Sequence, residues 1–237
     1  MWGIYNAVKL SIRNFTVFLI GLIFFFFAAH LFFAWINVAF GHDYIFGLVP
    51  LFRLDSEQSF STWYSTLALA FSALLLFAIY RDKSVRFDRF SRHWLGLACI
   101  FAFLSADEAC SIHEKISLFM RLHVSTFGLV SGQWTAVYAV LLIILAFVYL
   151  PFLRHLWPRP AAMFVVAGAV FVTGAVGLEL VGAYYYTTAQ LDSKDFLYSV
   201  IAGTEDLFEM LGILLWMRSL LAYMSLNNIA LQVNLER

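Results

Sequence analysis

The sequence predicts an all-α, polytopic membrane protein: a single bundle of six transmembrane helices with both termini on the cytoplasmic side. Two observations carry this. Of 237 residues 62% are hydrophobic and only 13% charged, a balance that belongs to chains solvated by lipid. The apolar residues also fall into segments long enough, at about 1.5 Å per residue, to cross roughly 30 Å of hydrocarbon.

The segments are 15–40, 62–80, 93–119, 134–153, 161–186 and 196–223, followed by a short tail, 224–237, and residues 1–237 read as one domain. The first follows Lys9 and Arg13 as a signal sequence would. Its apolar run is too long for an h-region and lacks a small-residue cleavage site, so it reads as a retained helix. The second and fourth begin at Thr62-Trp63 and Trp134, and the fifth starts just past Pro160. The third and sixth each continue through charge. Three acids at mid-helix cost roughly 7–10 kcal/mol on an insertion scale, while ten large apolar residues return roughly 3–6. Helices three and six therefore require their acids to be neutralised, paired or hidden inside protein.

Orientation follows from Lys and Arg. Eleven lie on the side of the two termini: Lys9, Arg13, Arg81, Lys83, Arg86, Arg89, Arg92, Arg154, Arg159, Arg218 and Arg237. Arg53, Lys115, Arg121 and Lys194 are alone on the other, so both ends are placed inside. Tryptophans favour headgroup level, and this topology puts Trp35, Trp63 and Trp134 at outer ends and Trp2, Trp94, Trp157 and Trp216 at or near inner ones. With zero net charge nothing favours nucleic acid, and the bilayer is the default partner. Oligomeric state is not legible.

Acids recur at one depth. Helix three carries Asp107, Glu108, His113 and Glu114; helix five carries Glu179; helix six carries Glu205, Asp206 and Glu209. At 100° per residue Asp107, Cys110 and Glu114 share a face flanked by Glu108 and His113. Glu205 and Glu209 share a face with Ala202 and Gly212, and Glu179 lies on a stripe with Gly168, Ala175 and Gly182 that permits close helix approach. All fall in the outer half of the bilayer, near His30, under an outer loop with His42, Asp43, Asp55 and Glu57. Bare anions do not coexist at low dielectric, so the cluster calls for protons or a metal.

Such an oxygen-rich set with one imidazole suits Fe, Mn, Mg or Ca. The candidate ligands are Asp107, Glu108, His113, Glu114, Glu179, Glu205 and Glu209, with Glu108 or Glu209 left free as general base. Three functions compete: a metal site catalysing hydrolysis or redox chemistry on a lipid-like or small-molecule ligand, a proton-coupled or cation transporter, and a non-catalytic assembly subunit. The bland alternatives are His30 as a satisfied buried imidazole, Cys110 as a packing residue, and Asp55 and Glu57 on a solvated loop.

The pattern Leu104-Ser105-x-Asp107-Glu108-x-x-x-x-His113-Glu114, with Asp55-Ser56-Glu57 before Thr62-Trp63-Tyr64-Ser65 and Glu205-Asp206-Leu207-Phe208-Glu209-Met210-Leu211-Gly212, resembles a loose group of uncharacterised bacterial multi-helix membrane proteins. The resemblance covers most of the chain. It implies a bundle of about six spans in a bacterial cytoplasmic membrane, and no particular activity.

Overall fold

In a computed structural model, residues 11–123, 134–156, 158–189 and 195–230 are described, the side chain of Arg121 aside. Trp2, Lys9, Trp157, Lys194 and Arg237 therefore lie outside the described residues. All regular structure among the described residues is helical, and five helices, or six with one bent pair counted as a span, are long and apolar enough to cross a membrane.

Helix α1 (Ile12–Phe40) starts where the Ser11 side chain accepts the Asn14 N–H and ends at Gly41, whose φ of 70° favours glycine. A short helix, α2 (Leu48–Phe52), interrupts the following loop. Helix α3 (Phe60–Val85) opens on a Ser59 cap. Beyond it stand α4 (Ser91–Cys110) and α5 (Ile112–His123), then α6 (Trp134–Leu156). The next span is α7 (Arg159–Val172), a π-helical stretch over Thr173–Leu178, and α8 (Glu179–Ala189) without interruption. Asp195 caps α9 (Phe196–Leu226), accepting the Tyr198 N–H at 2.9 Å.

The third predicted span is not one straight helix. Ser111 adopts the left-handed conformation (φ 50°), and α4 and α5 meet at a bend of 73°. Asp107 stabilises the bend by accepting the His113 backbone N–H at 2.8 Å, one of the orphan donors at the start of α5. The expected common face of Asp107, Cys110 and Glu114 is thereby broken. Cys110 is exposed rather than packed, and its carbonyl accepts from the Lys115 ammonium.

α9 is the axis of the bundle: it packs against α1, α3, α7 and α8, and α3 lies along α4. Its small residues explain how. A Cβ on Gly212 would stand 2.6 Å from the Phe171 backbone, and one on Gly174 would stand 2.7 Å from the Glu205 carbonyl. The close approach falls on these glycines and not on Gly168, which has open space around it. Gly212→Val is expected to destabilise the fold by about 1–3 kcal/mol through overpacking against backbone that cannot yield; a thermal melt in detergent measures it, and an unchanged midpoint would contradict the close contact.

Trp94 corrects the headgroup expectation. It is 1% exposed and sits in the core, its ring 4.9 Å from both Phe152 and Tyr223. Trp35 and Trp63 are exposed, as interfacial residues should be. Only Thr135 and Phe152 of α6 are buried, while Val140, Ile143, Phe147 and Leu150 are exposed, so this apolar surface is the one offered to lipid.

Candidate functional site

His30 of α1 is fully buried and spends both ring nitrogens on backbone. Nδ1 accepts the Leu54 N–H at 3.0 Å, which leaves Nε2–H to donate to the Ser199 carbonyl at 2.8 Å. A Cβ on Gly203 would stand 2.4 Å from the ring, so only glycine there lets the imidazole in. His30 is a structural strap joining α1, the outer loop and the start of α9. It has no lone pair left for a metal.

That strap sets Leu54 to Glu57 over the bundle. Arg53 and Asp55 form a two-point ion pair there, which raises the guanidinium above its ordinary value. Asp55, Ser56 and Glu57 then line a cavity of about 810 Å³ between the helices. All seven acid or histidine side chains expected at the site, Asp107, Glu108, His113, Glu114, Glu179, Glu205 and Glu209, line this one cavity, as does Asp206. Side chains from three predicted spans and from the loop before α3 thus meet in one cavity. His42 and Asp43 are exposed and do not line it.

The acids divide into two groups. At the mouth, Glu57, His113 and Glu114 each offer one ligand atom, and these atoms lie within 4.8 Å of one another, the one such set of three among the described residues. The His113 ring is fixed on both sides: Nδ1 stands 3.3 Å from Asp107 Oδ1, and Nε2 stands 3.5 Å from Glu57 Oε1. Ser111 donates to Glu57 Oε2 at 2.8 Å, and Tyr138 on α6 donates to Asp107 Oδ2 at 2.9 Å. Glu57, outside the spanning helices, is held below its ordinary carboxylate value by the His113 ring, against the opposing effect of burial.

Deeper lie Glu108 and the acids of α8 and α9. Glu179 and Glu205 line the cavity from α8 and α9, and Trp134 lines it from α6. The π-helical stretch directly precedes Glu179, and such bulges re-aim the residues after them and recur at functional sites. Among the described residues lining the cavity there is no Lys or Arg. Asp107 is a second partner of His113 rather than a member of the set of three, and Glu108, Glu179, Glu205 and Glu209 are also outside it.

Sequence reasoning under-weighted Glu57 and passed over Tyr138 and Asp206. Glu57 sits in a loop with no periodicity to give it a face. Tyr138 did leave a signal, since it follows Trp134 by one helical turn and would share its face. Asp206, named among the acids but not among the candidate ligands, lines the cavity with Glu205 and Glu209, because the cavity takes in more of α9 than the face those two share.

The chain belongs to the family described as a domain of unknown function (DUF8692), whose model matches residues 16–223. No curated protein and no solved structure matches it.

Proposed function

With family membership supplying no activity, we propose that the protein is a membrane-embedded metal hydrolase acting on a lipid-like substrate. Glu57, His113 and Glu114 bind one divalent cation at the mouth of the cavity. The observation that supports this is the environment of His113. With Nδ1–H donated to Asp107, Nε2 is left as a ligand atom 3.5 Å from Glu57 Oε1, with Glu114 completing the set. A lone pair facing anions is repulsive unless a cation or a proton stands between them, and we assign that place to a metal ion. A carboxylate behind a ligating imidazole is also the usual way proteins orient it and raise its basicity.

Two carboxylates and one imidazole are a hard, mixed donor set suited to Mn or Fe, with Mg and Ca as weaker fits. Three protein ligands leave positions open for water and substrate. Hydrolysis needs nothing more than a polarising cation and a base, and Glu108, on the cavity wall one turn from the bend, is placed to take the proton, with Glu209 beyond it. The Lys and Arg distribution turns this mouth toward the outer face of a bacterial cytoplasmic membrane.

The remaining lining favours this reading over ion transport. Beyond Glu108 and Glu209 the described walls are apolar, through Leu97, Phe101, Leu145, Val148, Phe171 and Trp216. A hydrated ion finds no partners there, whereas a hydrocarbon chain does.

Elemental analysis of the detergent-purified chain is the test. About one Mn or Fe per chain is expected, removable by chelator and restored by reloading. A metal-free protein that stays empty after reloading would mean that a protonated imidazolium bridges Asp107 and Glu57 instead, and the hydrolase reading would fall.

A further inference from the structure

α6 is attached to α4 at two places and separated from it between them. Near the acid-bearing end, Tyr138 donates to Asp107 and the Trp134 ring stands 5.3 Å from that of His113. Toward the other end, Tyr149 donates to the His93 carbonyl at 3.0 Å and Phe152 stacks edge-on against Trp94. From Tyr138 to Tyr149 the helix rises about 16 Å. Over that interval Leu141, Leu142, Ile144, Leu145 and Val148 of α6 and Cys99, Ile100, Phe103 and Leu104 of α4 all line the cavity. Several of these, Cys99, Phe103, Leu141, Ile144 and Val148, are exposed although they line the cavity, as the rim of an opening between two helices would be, so the stretch between the two fastenings is the candidate side window toward the lipid.

We infer that a single-chain amphiphile with a cationic amine head enters through this α4–α6 window, lays its hydrocarbon chain in the apolar stretch, and sets its head among Glu108, Glu179, Glu205, Asp206 and Glu209. An interval of about 16 Å is half of a hydrocarbon core of about 30 Å, the depth of one leaflet's chains. A lipid that moves sideways into the window thus keeps its chain at its own depth.

The volume, about 810 Å³, is within the range of roughly 300–1,000 Å³ that holds one small ligand. The choice of head rests on charge complementarity. Five carboxyl groups line the inner part of the polar end, no Lys or Arg lines the cavity among the described residues, and His113 is already committed to Asp107 and Glu57. A fatty acid or a phosphate head would add an anion to this wall; an ammonium supplies the missing positive charge and up to three N–H donors. As a substrate of the hydrolase proposed above, such an amphiphile would also carry an ester or amide bond, which water cleaves to a carboxylic acid and an alcohol or amine; the inference rests on that reading only for this reaction, not for the seat of the chain.

The test is equilibrium binding by native mass spectrometry of the full chain in neutral detergent, using dodecylamine, 1-dodecanol, dodecanoate and ethylamine as probes, with metal stoichiometry read on the same samples. Dodecylamine is expected to bind at least tenfold more tightly than the other three. Leu145→Trp, which fills the apolar stretch, is expected to weaken it at least tenfold without changing the metal content. Val148→Trp should do the same from a position 55% exposed, where a larger ring does not disturb packing.

Equal binding of the alcohol would overturn the cationic head, and equal binding of ethylamine would overturn the lipid chain. Amine binding indifferent to both tryptophan variants, with both melting like the wild type, would overturn the window. Amine selectivity in a chain that takes up no metal would support this inference and sink the hydrolase; metal without amine selectivity would do the reverse.

Discussion

His113→Ala is expected to reduce bound divalent metal from about one per chain to background, with the helical content unchanged. The imidazole is the one nitrogen donor in the set of three, and its removal leaves Glu57 and Glu114, both exposed carboxylates free to turn into solvent. Two carboxylates on different elements, one on a loop and one on α5, lose the ring that spaces them. Asp107→Asn is the informative partner variant. Asparagine keeps the shape and an oxygen for the His113 backbone N–H, so the bend at Ser111 should survive. It removes the negative charge behind Nδ1, and loss of such a partner typically weakens metal affinity by about 10–100-fold. Chelator competition monitored by elemental analysis ranks wild type, Asp107→Asn and His113→Ala in that order. Should Asp107→Asn bind as tightly as wild type, the carboxylate would serve only the helix bend.

The second large effect is on stability. His30→Ala is expected to destabilise the protein by about 2–6 kcal/mol, because it strands two buried backbone groups, the Leu54 N–H and the Ser199 carbonyl, at about 1–3 kcal/mol each. The void left beside Gly203 adds to the loss. The consequence reaches the metal, since the loop held through Leu54 also carries Glu57. Reversible unfolding in mixed micelles gives the stability change, and metal titration of the folded fraction reports on the loop. A His30→Ala protein of native stability would show that water replaces both ring nitrogens and that the strap is dispensable.

What the sequence revealed, and what it hid, follows from the range of each interaction. The five unbroken spans were legible because insertion into lipid is decided by local composition. The acid-rich helices were legible as a requirement: charges that costly must meet protein, and in the structure they line one cavity. The break at Ser111 was hidden because no Gly or Pro marks it. It is held by a carboxylate reaching six residues along the chain, a contact that no periodicity records. The face of the fifth span was misjudged for a related reason. Ideal helical geometry put Gly168 on the close-packed stripe, but the π-helical stretch shifts the register, and Gly174 makes the approach. His30 could be placed at the right depth from sequence, while its role as strap depended on backbone groups 24 and 169 residues away. Glu57 became part of the site through that strap.

The π-helical stretch also bears on how such a site can arise. A π-turn is an α-helix carrying one residue more than its two ends require, and each residue turns the chain by about 100°. Deleting one residue of the stretch would turn α8 by about 100° relative to α7, so such a deletion is expected to carry Glu179 away from the other acids without changing any residue of the cavity.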